Sequence, residues 1–141
     1  MVTSMSTPPA TARAITHAIP CLTYRDAPAA IRWLVDVLGA EARQVHAGPD
    51  GTVAHAELWF GSACVMLGSS KHDGRLPDGT GRGTVYLVLP TRDAVDARHA
   101  AAVAAGASIT IALHDSDYGS HDFACRDPEG NAWSLGTYVP A

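Results

Sequence analysis

Short alternating or apolar runs, broken by glycine and proline, dominate this chain, and two stretches carry helical spacing instead. Ile15 to Tyr24 reads as a strand, with Pro20 marking an edge or an irregularity. Asp26 stands where a helix N-cap belongs and Pro28 falls in the first turn. Ile31, Leu34, Val35 and Leu38 then recur at helical spacing until Gly39 ends the segment. Ala40 to Ala47 is a strand and Gly48-Pro49-Asp50-Gly51 a tight turn. Thr52 to Phe60 and Ser62 to Leu67 are two more strands around Gly61. Gly83 to Leu89 is strand-like again, and an Ala-rich helix begins at Thr91 or Asp93 and stops before Gly106. Ser108 to Leu113 is a strand, and a polar stretch runs from His114 to Ser120. A hairpin closes the chain: His121 to Arg126, the turn Asp127-Pro128-Glu129-Gly130-Asn131, and Ala132 to Val139.

This order is strand, helix and three strands, given twice. Arg25-Asp26-Ala27 recurs as Arg92-Asp93-Ala94 and Gly39-Ala40 as Gly106-Ala107, all at a spacing of 67 residues. A shared gapless offset across a whole unit indicates internal duplication. The expected fold class is α+β: two βαβββ modules, 15–68 and 83–139, in one domain spanning 14–141. Loop 69–82 links them, and a loose tail covers 1–13. Each helix covers one face of its sheet, and the other face is left to line a cleft.

Composition changes this picture little. At 141 residues, 47% apolar and 17% charged, the chain suits one globular domain with its own core. A net charge of −4 argues against nucleic-acid or anionic-membrane partners. No apolar run reaches the roughly 20 residues of a membrane span. Cys21, Cys64 and Cys125 are odd in number and far apart, which points to reduced thiols in a cytoplasmic protein. There is no Gly-x-Ser-x-Gly elbow, phosphate-binding glycine loop or His-Glu-x-x-His motif.

Three signatures carry a family resemblance: Ala18-Ile19-Pro20 with Arg25-Asp26, Ala56-Glu57-Leu58, and the terminal Asp-Pro-Glu-Gly-Asn-x-Trp-Ser-x-Gly-Thr-Tyr. Over roughly Thr16 to Val139 the chain resembles the vicinal oxygen chelate superfamily. That group includes glyoxalase I, extradiol dioxygenases, fosfomycin resistance enzymes and bleomycin resistance proteins. The resemblance implies an incomplete barrel, often completed by a second subunit, around a cleft that holds a divalent metal in the enzymes. It places the metal-ligand positions at Ile19, at Tyr86 or Thr84 in the second module, at Glu57 and at Ser134. Only Glu57 is of ligand type, and catalytic sites usually need three protein ligands. The expected cofactor is therefore none, and the resemblance is closest to the metal-free bleomycin-resistance branch.

Strand parity then suggests what lines the cleft. Ile19 brings His17 and Cys21 to its face, and Glu57 brings His55 and Trp59. The repeat carries His55 to Asp122, and Tyr86 shares a face with Thr84 and Val88. The expected ligand-binding set is His55, Glu57, Trp59, Tyr86, Tyr118, Asp122 and Ser134. It suits a planar or cationic small molecule held by a homodimer, without nucleic acid or membrane. His55 and Glu57 could alternatively form an acid–base pair of a lyase or isomerase, or Glu57 could simply be hydrogen-bonded to backbone or His55. A rearranged metal site from His17, His55, Glu57 and Asp122 is a further alternative. Lys71, His72, Asp73 and Arg75 could close as a lid or be solvated loop residues. Trp133, alternating with Ser134, is expected to pack against a helix.

Overall fold

The computed structural model describes residues 15–71 and 79–140. The tail 1–13 and most of the candidate lid, including His72, Asp73 and Arg75, lie outside them. In chain order the elements are β1 (Cys21–Tyr24), α1 (Ala27–Asp36), β2 (Glu41–Ala47), β3 (Val53–Phe60) and β4 (Ala63–Ser69). The second set is β5 (Thr84–Val88), α2 (Arg92–Ala104), β6 (Ser108–Asp115), β7 (His121–Arg126) and β8 (Ala132–Gly136). Two four-stranded sheets result, ordered β1-β4-β3-β2 and β5-β8-β7-β6, and they do not close into a barrel. In each, the first strand runs parallel to the last and the others are antiparallel.

Local chemistry sets the helix limits. The Asp26 carboxylate accepts the Ala29 N–H at 3.1 Å, and the Thr91 hydroxyl accepts the Ala94 N–H at 3.1 Å. Past the helix ends, Gly39 and Gly106 take φ of +78° and +72°, a left-handed turn that a Cβ would oppose. The duplication also reaches into irregularities. The β2–β3 ladder slips between Ala42 and Gln44, and the β6–β7 ladder slips at the matching place, between Ile109 and Ile111.

β1 is shorter than its sequence suggests. Residues 15–20 are exposed and outside any strand, so Pro20 acts as a boundary, while its carbonyl still accepts the Met66 N–H at 3.0 Å. β8 ends at Gly136 and not at Val139, because Tyr138 N–H turns aside to the Tyr86 hydroxyl at 3.1 Å.

On the helix side of both sheets lies one apolar core. Leu34 and Val95 from the helices meet Leu58, Val65, Leu67, Phe123, Cys125, Trp133 and Leu135 from the strands. Trp133 is fully buried on the helix side, as its parity predicts, and there it also meets Phe60 of the first module at 5.8 Å between ring centroids. Burying such side chains stabilises the fold by about 1.5–3 kcal/mol each. Alternation sends the intervening residues to the opposite, open face of each sheet.

A polar clasp joins the modules. The buried Asp127 carboxylate accepts five hydrogen bonds: from Tyr24 Oη (2.6 Å), Trp133 Nε1 (3.0 Å), Asn131 Nδ2 (3.1 Å) and the N–H groups of Glu129 and Asn131. Glu129 in turn accepts the N–H of Arg25 at 2.6 Å and of Asp26 at 2.8 Å. Burial and then Asp127 hold the Tyr24 phenol far above the usual range, so it stays a donor. The two most conspicuous motifs, Arg25-Asp26 and Asp-Pro-Glu-Gly-Asn, are thus the halves of one structural joint.

Candidate functional site

Register fixes which residues share the open faces. Cys21 pairs with Met66 and Met66 with Glu57, and Glu57 with Gln44. In the second module Tyr86 pairs with Ser134, Ser134 with Ala124, and Ala124 with Ile111. Because the matched bulges align Glu57 with Ala124, Ser134 corresponds to Met66 and Tyr86 to Cys21. The counterpart of Ile19 is therefore Thr84 and not Tyr86, since the first strand and the helix do not share one offset. Nor is Glu57 the counterpart of Ser134, and it sits one strand farther from the parallel pair.

The seven candidate residues form two groups. His55, Glu57 and Trp59 alternate along the open face of β3, with Ala56 and Leu58 in the core. Trp59 Nε1 donates to Glu57 Oε1 at 3.4 Å, and the Arg43 guanidinium lies 4.6 Å from the centre of the Trp59 ring. His55 Nε2 is 3.7 Å from Glu57 Oε2, an ion-pair distance and beyond hydrogen-bond reach, and the His55 ring stacks with His46 at 6.2 Å. Backbone or His55 are the partners expected of Glu57, and among the described residues the Trp59 indole bonds it instead.

Tyr86, Asp122, Ser134 and Tyr118 form the second group. The Tyr86 hydroxyl donates to Asp122 Oδ1 at 3.0 Å, and Ser120 Oγ donates to Oδ2 at 2.8 Å. Gly136 lies between Tyr86 and Asp122, and a Cβ there would overlap both Asp122 Oδ1 and the Tyr86 hydroxyl. Burial raises the Tyr86 pKa and Asp122 adds to it, against the Tyr138 N–H, so the phenol stays protonated. Tyr118 is 71% exposed and meets Tyr138 edge to face at 5.5 Å, which leaves ring faces open to a ligand. The Ser134 hydroxyl has no hydrogen-bond partner among the described residues. Among those residues, too, no hydrogen bond, ion pair or ring contact joins the two groups.

His17 lies outside β1, exposed, with its ring on the Thr16 hydroxyl at 2.9 Å, so strand parity does not place it with Cys21. A divalent metal does not fit the face that would hold it. Cys21, Met66, Tyr86 and Ser134 share its matched positions, of which Cys21 alone is a His, Cys, Asp or Glu, and among the described residues no three such side chains are grouped to hold an ion. Burial, then Glu57, raises the Cys64 thiol, which is thereby no activated nucleophile.

Sequence reading missed a further cluster on the helix side. His121 Nε2 bonds Asp96 Oδ1 at 2.6 Å and Nδ1 bonds Asp115 Oδ1 at 2.8 Å, while Arg92 Nη1 donates to Asp115 at 2.8 Å. The hydrogen bonds to Asp96 and then Asp115 raise the His121 pKa, and Arg92 followed by His121 lowers Asp115 to about 2. The helix pattern could have placed Asp96 toward β7, but only the pairing of His121 with Asp115 shows that they meet.

Duplicated βαβββ modules, each with one helix-covered face and one open face bearing aromatic and carboxylate side chains, define a glyoxalase-like protein. The chain belongs to the Glyoxalase/Bleomycin resistance protein/Dioxygenase superfamily, whose family model matches residues 14–135. It is 34% identical over 125 residues to the uncharacterized protein Rv0887c of Mycobacterium tuberculosis, covering 85% of this chain and 73% of that one. Among solved structures, TioX from Micromonospora sp. ML1 superposes with a TM-score of 0.71 at 28% identity, over 89% of this chain and 98% of that one. Lactoylglutathione lyase from Agrobacterium tumefaciens gives a TM-score of 0.65 at 20% identity, over 87% and 94%, and so shares the fold. No helix among the described residues is long and apolar enough to cross a membrane.

Proposed function

We propose that this protein binds a planar or cationic small molecule and acts by sequestration, without a metal, in the manner of antibiotic-resistance binding proteins. The observation that carries the reading is the pairing of aromatic rings with anchored carboxylates on the open sheet faces: Trp59, with Arg43 over one side of its ring, beside Glu57, and Tyr86 beside the buried Asp122. Aromatic faces attract a planar or cationic ligand, and the carboxylates oppose its charge. The unpartnered Ser134 hydroxyl supplies a directional contact. Since the two groups make no contact within the chain, the site is completed in a homodimer, the first sheet of one copy facing the second sheet of its partner.

A thermal-shift and fluorescence screen with planar aromatics, glycopeptide antibiotics and thiol adducts tests this. Stabilisation by a cationic aromatic compound, weakened about tenfold or more by Trp59→Ala or Asp122→Asn, is expected; a tenfold loss corresponds to about 1.4 kcal/mol. No stabilisation by any such compound would overturn it, as would stoichiometric Zn, Ni, Mn or Fe in protein purified without chelator.

The 3.7 Å approach of His55 to Glu57 supports a second reading, proton transfer by a lyase or isomerase. Turnover of a carbonyl or thiol-adduct substrate that is lost in both His55→Gln and Glu57→Gln would favour it over sequestration.

A further inference from the structure

A cavity of about 240 Å³ lies where the two modules meet, away from Trp59, Asp122 and the rest of the proposed ligand faces. The side chains that line it are apolar, with Leu38, Phe60, Leu87 and Leu135 from both modules, except for the guanidinium of Arg98 on α2, and backbone adds polar surface. Leu38, Leu87 and Leu135 are 4%, 8% and 1% exposed, so they form its buried floor. Arg98 is half-buried and has no carboxylate partner among the described residues. Among those residues its hydrogen bond is a long one, 3.3 Å from Nη1 to the Val37 carbonyl. A guanidinium has five N–H donors in a planar fork that matches a carboxylate. Two glycines keep the place open. A Cβ at Gly39 would stand 2.9 Å from Arg98 Nη1, and Gly61 adds no side chain to the rim.

We propose that this cavity is a second binding site, for a small carboxylate with a compact apolar body. A guanidinium that meets no carboxylate among the described residues, at the edge of an apolar cavity, attracts an anion, and the leucine and phenylalanine surface favours a carbon ring or branched chain over a hydrated ion. The volume is below the roughly 300–1,000 Å³ of drug-sized sites, which limits the occupant to about one ring and its carboxylate. Because the lining comes from both modules, an occupant would also brace their packing.

Phenylacetate, with 2-phenylethanol and phenethylamine as neutral and cationic counterparts, tests this by titration monitored through backbone amide resonances. Phenylacetate is expected to shift Leu87, Leu89 and Gly61 and to bind at least about tenfold more tightly than either counterpart, because a carboxylate accepts charge-assisted hydrogen bonds from the guanidinium. Arg98→Met should lose that preference, with Arg98→Gln as the second variant should the first fold poorly, and Arg98→Lys should keep part of it. Absence of binding up to about 10 mM (a free energy near −2.7 kcal/mol) would overturn the proposal. Equal affinity for the alcohol, unchanged affinity in a folded Arg98 variant, or shifts confined to the Trp59 or Tyr86 faces would do the same.

Discussion

Asp127 shows how a single residue can serve two levels of organisation. Its carboxylate shapes the final turn through the N–H groups of Glu129 and Asn131, and it ties that turn to Tyr24 in the other module. Leaving a buried donor unpaired costs about 1–3 kcal/mol. Asp127→Ala strands the Tyr24 hydroxyl, the Trp133 indole and the Asn131 amide together, and is expected to destabilise the protein by ~3–5 kcal/mol in urea unfolding, with non-additivity keeping the loss below the sum. Tyr24→Phe removes one hydrogen bond to a charged group and should cost about 1.5–3 kcal/mol. Gly136 is the second such position. Gly136→Ala forces the Tyr86–Asp122 hydrogen bond apart, and the expected outcome is weaker binding at the open face together with a lowered midpoint of thermal unfolding.

Strand parity carried the open face of β3 from the sequence, because a side-chain period of two holds wherever a strand is regular. His55, Glu57 and Trp59 do alternate with the buried Ala56 and Leu58. Parity failed at His17, which precedes the strand, and the single 67-residue offset failed at Tyr86, whose counterpart is Cys21. A repeat read by spacing has no means of showing that the first strand and the helix follow different offsets.

At the scale of elements, α2 is held to β6 and β7 by charge as well as by packing. Asp96 on the helix and Asp115 on β6 grip the two ring nitrogens of His121, and Arg92 grips Asp115. With both nitrogens on carboxylates, the imidazolium is the favoured form and its pKa is raised above its ordinary 6.5. The stability it contributes is therefore complete below that unfolded value and is lost as pH rises through the folded one. Asp115 is lowered from 3.8 to about 2, so its contribution is present above 3.8 and is lost as pH falls toward 2. Stability should be greatest from about pH 4 to 6.5 with respect to this cluster. Unfolding midpoints measured across pH should show the decline at higher pH, and His121→Gln should abolish that limb. A His121 resonance titrating at or below 6.5 would contradict the assignment.

At the scale of the molecule, the two modules share one core and one polar joint, while their open faces carry separate groups of aromatic and acidic residues. On the proposed reading, in which both groups act on one ligand, two chains complete the site. Light scattering on the purified protein is expected to give twice the chain mass. Mixing a Trp59→Ala chain with an Asp122→Asn chain should then restore one intact site per heterodimer, because each variant keeps the sheet that the other lacks. A monomer that binds ligand at full affinity would refute the shared site.

The sequence alone determined the α+β class, the duplication, the Asp26 cap and the buried role of Trp133, and it left the second cap between Thr91 and Asp93. These depend on local rules: glycine after a helix end, a capping oxygen, and alternation along a strand. Tertiary structure alone decided that Asp127 and Glu129 belong to a joint between modules and that His121 binds two carboxylates. It also decided that Met66 faces the place Ser134 faces in the other sheet, and that Arg98 stands at a cavity with no carboxylate partner among the described residues. Each of these depends on register or on contacts between residues distant in the chain, and spacing along one chain does not encode which atoms meet across a sheet.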